Sequence, residues 1–211
     1  RVLEETVSWA ANQTALIICD MWQKHWCKGA TARVAEVAPR MDQLSTQARR
    51  QEVLIVHAPS SCMAAYKDHP ARRRAQSAPA AANLPADIKD WCNKIPTEEK
   101  GKYPIDQSDG GCDDEPKCPG GSPWTRQIDV IRITDDDAIS DSGTEIWNLL
   151  EQRGIKNAMI MGVHTNMCVL GRPFGLRQMS SHGKNTVLIR DLTDTMYNSK
   201  AWPFVNHFAG T

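Results

Sequence analysis

The sequence predicts an α/β protein in three layers, with helices on both faces of a doubly wound, mainly parallel sheet. Short apolar, β-branched segments alternate with segments of helical periodicity, and parallel strands need such helical crossovers. The 211 residues are enough for one domain with a substantial core. We therefore expect a single domain over residues 1–211, with a long insertion after the second strand.

The first part of the chain contains two predicted strands and the helix between them. Residues 15–19 form a continuous apolar run, which suits a strand buried on both faces. Between residues 32 and 51, apolar side chains recur at helical spacing. Residues 53–56 are β-branched or apolar and predict the second strand.

Residues 60–126 interrupt this alternation. The segment holds most of the chain's twelve prolines and a stretch rich in glycine and aspartate, residues 106–121. It is too long for a plain connector. We expect it to fold over the domain with short helices and to shape the binding site.

Regular structure is predicted again from residue 128. Residues 128–133 read as the third strand. Ser142 and Glu145 have the spacing of a capping box, and Gly154 would end the helix that they begin. Three more elements are expected: a strand at 157–161, a helix at 168–181 and a strand at 186–189.

Composition limits the class of partner. Lys plus Arg and Asp plus Glu number 25 each, so no overall charge favours nucleic acid or an anionic membrane. No apolar run approaches the length of a membrane span. We expect a small-molecule substrate and neither a nucleic-acid nor a membrane partner. The start at Arg1 and the seven cysteines slightly favour a secreted or periplasmic protein over a cytoplasmic one.

Cys168 is the leading candidate for chemistry, because it follows an apolar strand and precedes a predicted helix. The partial positive charge at a helix N-terminus favours the thiolate. The alternative is a buried cysteine that acts as a small hydrophobe.

Three polar residues fall at the carboxyl ends of predicted strands, where open parallel sheets bind ligands. They are Asp20, Arg132 and Cys168. If they converge, the cation would lower the pKa of the thiol and the acid would transfer its proton. Taken alone, Asp20 could be a cap or loop acid and Arg132 a structural ion-pair partner.

The order of these motifs resembles the isochorismatase-like cysteine hydrolase superfamily, which includes nicotinamidases and N-carbamoylsarcosine amidases. The matching pieces are residues 16–21, 130–132 and 162–169. The resemblance implies a three-layer doubly wound fold, an Asp–Lys–Cys triad, an acyl-enzyme intermediate, and often a dimer or tetramer. It implies no cofactor for this chain, and no metal, because the metal-binding Asp-x-His of nicotinamidases is absent.

Carried over by position, the resemblance makes Cys168 the nucleophile and Asp20 the acid/base. The backbone N–H groups of His164 and Cys168 would form the oxyanion hole, and the Val163–His164 peptide would be cis. Arg132 stands where the family has lysine. Arginine keeps the positive charge but cannot give up its proton.

Four residues are candidates for substrate binding: Trp22, Trp26, His57 and Val163. Trp22 and Trp26 follow Asp20 closely and either line the pocket or pack in the core. His57 lies at a strand end, where it either touches substrate or satisfies its own hydrogen bonds.

Cys112 and Cys118 flank a turn-rich stretch, and they either form a disulfide in an oxidising compartment or remain exposed thiols. Zinc is not expected, because the chain has no Cys-x-x-Cys pair.

The leading hypothesis is therefore a hydrolase of the amidase type, which cleaves an amide, ureido or carbamoyl C–N bond of a small molecule through a Cys168 thioester. The alternative is a catalytically silent fold that binds a ligand or partner, because the family lysine is Arg132 here.

Overall fold

A computed structural model describes residues 3–98, 101 and 104–211. Its centre is a five-stranded sheet in the order β3-β2-β1-β4-β5, and every strand pair is parallel. The chain starts at the middle strand, builds outward to one edge, and then returns to build outward to the other. This strand order is that of a doubly wound sheet, as the sequence predicts. The strands are β1 Thr14–Cys19, β2 Leu54–Ala58, β3 Ala138–Ile139, β4 Asn157–Val163 and β5 Asn185–Asp194.

Four α-helices accompany the sheet in the described residues: α1 Lys28–Arg50, α2 Pro70–Gln76, α3 Gly143–Gln152 and α4 Leu176–Ser181. A short π-helix, Thr165–Val169, follows β4. None of the described helices combines the length and the apolar character needed to cross a membrane.

The sheet separates two apolar clusters, as the alternation of side chains along β1 shows. Ile17 belongs to a cluster with residues of α3 and α4, whereas Leu16 and Ile18 belong to a cluster with residues of α1. Because successive side chains of a strand point to opposite faces, β1 supplies both cores and is buried along its whole length. The three-layer architecture follows.

Half of the capping box predicted for α3 is found: the Ser142 hydroxyl accepts a hydrogen bond from the Glu145 N–H at 3.4 Å, but the Ser142 N–H donates to Ser140 Oγ instead of to Glu145. Gly154, just beyond the helix, has a φ of 63°. Helix α1 begins at Lys28, earlier than predicted, because the Cys27 side chain caps it by accepting from the Ala30 N–H.

The predicted third strand at residues 128–133 is wrong. The Ile131 N–H donates to the Ile128 carbonyl at 3.3 Å and closes a turn. Ile131 is buried, whereas Val130 is 46% exposed. The apolar residues at this point pack onto the α1 side of the sheet without pairing in it. The true β3 comes later and has two residues.

The predicted helix at 168–181 is interrupted in the structure. Its first turns end before Pro173, and α4 begins at Leu176. Proline lacks an N–H and disfavours helical geometry in the residue before it, which accounts for the break.

Gly162 in β4 is the position where the sheet most clearly requires glycine. Its φ is 127°, and a Cβ there would lie 2.0 Å from the Cys19 carbonyl oxygen of β1. We expect Gly162→Ala to lower the free energy of unfolding by at least about 3 kcal/mol, because backbone strain and a main-chain clash add together. Denaturant unfolding measures the change.

Gly183→Ala is the matched control, since Gly183 also has a positive φ but a Cβ there would meet open space. It isolates the conformational cost, which is about 1–2 kcal/mol. Equal losses in the two variants would contradict the clash argument.

Candidate active site

Asp20 lies directly after β1 with a φ of 51°, and its side chain is fully buried. The Ser60 N–H, beyond the end of β2, donates to its Oδ1 at 2.7 Å. The Arg172 Nε–H donates to its Oδ2 at 3.1 Å. Both carboxylate oxygens are therefore held by elements that follow different strands.

Cys168 lies in the π-helix that follows β4. The turn begins at His164, whose carbonyl accepts hydrogen bonds from the N–H groups of Met167 and Val169. The charges of Asp20 and Arg172 both act on the half-buried Cys168 thiol. The Val163–His164 peptide is cis, which confirms the expectation drawn from the resemblance. Asp20 and Cys168 thus meet as the strand-end argument predicts.

Arg172 is the cation of this site, and the sequence reasoning missed it. It follows Cys168 by four residues, the spacing that places two side chains on one face of a helical turn. Its guanidinium also stacks on the Trp91 ring, 5.4 Å from the centroid. A Cβ on the intervening Gly171 would lie 2.4 Å from that indole, so glycine permits the approach. The missed signal was the Cys-x-x-x-Arg spacing.

Arg132 does not reach the thiol, and its prediction as the site cation is wrong. Its guanidinium lies on the surface, where Nε and Nη2 donate to the Asp42 carboxylate of α1 and Nη2 also donates to Thr46. The reason is the missing strand: without β-structure at 128–133, nothing carries Arg132 to the carboxyl edge of the sheet. Arg132 is a structural ion-pair partner, which is the alternative interpretation of this residue given by the sequence.

The pKa of the Cys168 thiol is raised, not lowered as predicted. Burial is the largest cause and the adjacent Asp20 charge is the next, and both outweigh the opposing effect of Arg172. Burial also raises the pKa of Asp20 against the opposing effects of Arg172 and Ser60. The resting thiol therefore keeps its proton, and its neighbour is a stronger base than an ordinary aspartate.

His57 has no ring nitrogen left for a substrate. Its side chain is fully buried, with Nδ1 3.1 Å from Gln127 Oε1 and Nε2 3.1 Å from Asp137 Oδ2. Substrate contact by His57 is thus contradicted, and the alternative of a histidine with satisfied hydrogen bonds is correct. Hydrogen bonds from His57 and Arg49 hold the pKa of Asp137 well below its usual range, although burial opposes them.

Trp22 is buried and supports the acid. Its Nε1–H donates to the Ser60 carbonyl at 3.0 Å, and its ring stacks on Trp124 with centroids 4.2 Å apart. Because the Ser60 N–H binds Asp20, Trp22 fixes the loop that holds the carboxylate. Trp26 is half-buried and packs against Cys27 and Cys112, and Val163 is buried.

A cavity of about 630 Å³ lies beside the Cys168 turn. The π-helix and the segment just after it form one wall, and the insertion forms another. Neither tryptophan candidate nor Val163 lines it, and among the described residues Cys168, Asp20 and Arg172 lie next to it without lining it. The lining residues are Trp91, Asn93, Lys94, Glu98, Gly101, Pro104, Gln107, Asn166, Met167, Leu170 and Arg177.

Within the described part of the chain, the one group of three metal-ligand side chains is Cys27, Cys112 and Asp114. It lies at the start of α1 and does not include Cys168 or Asp20. The chemistry available at Cys168 is that of a protonated thiol, a buried carboxylate and a permanent cation.

Alkylation of Cys168 tests this protonation state. We expect slow labelling by iodoacetamide at neutral pH and a rate that rises with pH beyond the usual thiol range. Asp20→Asn should accelerate labelling at a given pH, because it removes the negative charge that raises the thiol pKa. Arg172→Gln should slow it. Peptide mass spectrometry gives the rates, with Cys92 as the internal reference. Fast labelling of Cys168 below pH 7 would show that the thiol is not protonated in the resting site.

Comparison with solved structures identifies the fold. A cysteine hydrolase from Pseudomonas syringae pv. phaseolicola superimposes with a TM-score of 0.52 at 17% identity, over 98% of this chain and 85% of that one. An isochorismatase from Pseudomonas putida gives 0.50 at 14% identity, over 90% and 75%. No family sequence model matches, and no curated protein matches at a significant level. The chain thus has the isochorismatase-like α/β fold that its motifs predict.

Proposed function

We propose that the protein is a cysteine-dependent hydrolase that cleaves a C–N bond of a small molecule through a thioester on Cys168. The observation that carries the proposal is the half-buried Cys168 thiol beside the buried Asp20–Arg172 ion pair, whose charges both act on the thiol. A nucleophile, a base within hydrogen-bond reach and a group that orients the base make up the arrangement of covalent catalysis. The fold shared with a cysteine hydrolase supports it.

In the first step, the Cys168 sulfur attacks the substrate carbonyl carbon while its proton passes to the Asp20 carboxylate. The carbonyl oxygen becomes an oxyanion. We propose that the backbone N–H groups of His164 and Cys168 receive it, and each preorganised donor of this kind lowers the barrier by about 3 kcal/mol. The raised pKa of Asp20 reduces the cost of the proton transfer, because base and thiol are then closer in proton affinity.

In the second step, Asp20 returns the proton to the leaving nitrogen as the C–N bond breaks. The acyl group stays on Cys168 as a thioester, and the product amine departs. Water then attacks the thioester and gives its proton to Asp20. Collapse of this second intermediate releases the acid, and the sulfur regains its proton from Asp20.

Arg172 takes the place that the family resemblance gives to lysine, with an electrostatic role. Burial disfavours its charged form, but the Asp20 carboxylate outweighs this effect and raises the pKa of Arg172 further. Arginine in proteins does not release its proton. Arg172 therefore orients Asp20 and offsets negative charge, while Asp20 performs every proton transfer.

The cavity beside the Cys168 turn suits a small substrate with both polar and apolar parts. Asn166 and Arg177 supply polar groups, and Trp91, Met167 and Leu170 supply apolar surface. Because Trp91 and several other lining residues come from the insertion, we propose that residues 60–126 select the substrate. We also propose a homo-oligomer, a dimer or tetramer, as the resemblance implies.

A catalytically silent binding protein is the second candidate. The favouring observation is the Asp20–Arg172 ion pair, in which Arg172 occupies one oxygen of the base and Ser60 the other. Such a protein would use the same cavity to hold a ligand.

Loss of the thiol separates the two candidates. We expect the wild type to turn over at least one compound in a panel of small amides, ureido acids and carbamoyl compounds, and Cys168→Ala to abolish that turnover because no thioester forms. Quenched mass spectrometry should find an acyl adduct only on the wild type. Cys92→Ser, which removes a half-exposed thiol outside the triad, is the control and should remain active. Full activity of Cys168→Ala would exclude the hydrolase mechanism.

The two arginines give a second test. Arg172→Met should lower kcat/KM by about 100-fold, the scale expected for removal of one preorganised electrostatic group. Arg172→Lys should retain part of the activity, because the charge persists. Arg132→Ala should leave kcat/KM unchanged, since its guanidinium pairs with Asp42 on the surface. A larger loss from Arg132→Ala than from Arg172→Met would reverse the assignment.

A further inference from the structure

A second chemical cluster lies at the start of α1, where three thiols surround one carboxylate oxygen. Asp114 Oδ2 is 3.2 Å from Cys27 Sγ, 3.5 Å from Cys112 Sγ and 3.2 Å from Cys118 Sγ. None of the three cysteines forms a disulfide. Cys27 and Cys112 are buried, whereas Cys118 and Asp114 are partly exposed, so the cluster is open to solvent on one side.

Hydrogen bonding alone does not account for this convergence. The same Asp114 oxygen also accepts from the Gly29 N–H at 3.0 Å, so four donors would share one oxygen. Thiols are weak donors and give little reason for three of them to gather there. A chain that only needed to satisfy Asp114 would not bury two cysteines around it.

For Cys27, Cys112 and Asp114, the spacing is that of ligands around a common centre. With Zn–S bonds of about 2.3 Å and a Zn–O bond of about 2.0 Å at tetrahedral angles, sulfur and oxygen ligands lie about 3.5 Å apart. The three observed sulfur–oxygen distances fall at or just below this value. The ligand atoms of Cys27, Cys112 and Asp114 lie within 4.8 Å of one another, whereas Cys118 Sγ is close to Asp114 but not to all three.

The first turn of α1 supplies the outer contacts that such a centre needs. The Lys28 N–H donates to Cys118 Sγ at 3.5 Å, and the Ala30 N–H donates to Cys27 Sγ at 3.4 Å. Backbone N–H groups and the positive end of a 23-residue helix stabilise thiolates and carboxylates. Three thiolates and a carboxylate around a divalent cation leave excess negative charge, which these donors offset.

The surrounding packing fixes the ligands. Gly111, beside Cys112, has a φ of 85°, and a Cβ there would lie 2.8 Å from the Met196 carbonyl, so only glycine lets this segment seat against the domain. Trp26 and Met196 cover the thiols with apolar surface.

We propose that Cys27, Cys112 and Asp114 bind one thiophilic divalent cation and that the adjacent, partly exposed Cys118 moves in as the fourth ligand, with Zn²⁺ the ion that best fits the donor set. Four protein ligands make a closed, structural site. The ion would fasten the insertion to the start of α1 and thereby hold the loop that carries Trp22 and Trp26. The ligands lack Cys-x-x-Cys spacing because they are brought together from two distant segments.

Metal content tests the proposal without reference to any substrate, so it stands or fails separately from the hydrolase. Protein produced with supplemented zinc and purified under reducing conditions should contain about one zinc per chain by elemental analysis, and Cys118→Ser and Asp114→Asn should lose most of it. Cys92→Ser, a cysteine outside the cluster, should keep it. Replacement by Co²⁺ should give thiolate-to-cobalt charge-transfer absorption in the wild type and not in Cys118→Ser.

Cys118 is the preferred ligand to change because it is partly exposed, and far-UV circular dichroism will show whether each variant is folded. Removing the ion with a chelator should lower the Tm of the wild type and leave that of folded Cys118→Ser unchanged. Two results would overturn the proposal: reduced, folded wild type that takes up neither Zn²⁺ nor Co²⁺, or protein with a Cys112–Cys118 disulfide and no metal.

Discussion

The buried carboxylate of Asp20 is the constraint on which the arrangement of the molecule depends. A charge without solvent is costly unless it is paired and hydrogen-bonded, and Asp20 meets that condition through groups that follow two other strands. The Ser60 N–H comes after β2 and the Arg172 guanidinium after β4. Because β1 lies between these strands, the carboxyl ends of three parallel neighbours must stay in register for the acid to be satisfied. Fold and site therefore depend on the same contacts.

Sequence reasoning predicted the fold well where strands are long and buried on both faces. The apolar run of β1 and the strong capping signal at Ser142 are local properties, and both are found in the structure. It failed at β3, because a strand of two residues has no periodicity to detect. The stretch at 128–133 has a strand-like composition, yet its apolar residues serve a turn that packs on the core.

The candidate site was predicted in part, for a related reason. Asp20 and Cys168 lie immediately after their strands, so topology alone places them. Arg132 depended on the strand that does not exist, and Arg172 depends on a helical turn in which local spacing was the only signal. The predicted direction of the Cys168 pKa shift was also wrong. The argument from charge and helix dipole omitted the cost of burial, which is the largest single cause of the shift. That cost is a property of tertiary packing.

The chain separates the members of the triad very unequally. Cys168 and Arg172 are neighbours on one short turn, whereas Asp20 is 152 residues away from its arginine. A ribosome makes the acid early and the thiol late, and domains fold as units once enough chain has emerged. On the proposed chemistry, a nascent or truncated chain contains the base without its nucleophile and is inert. Reactivity would arise only when β4 and the turn after it join the sheet beside β1.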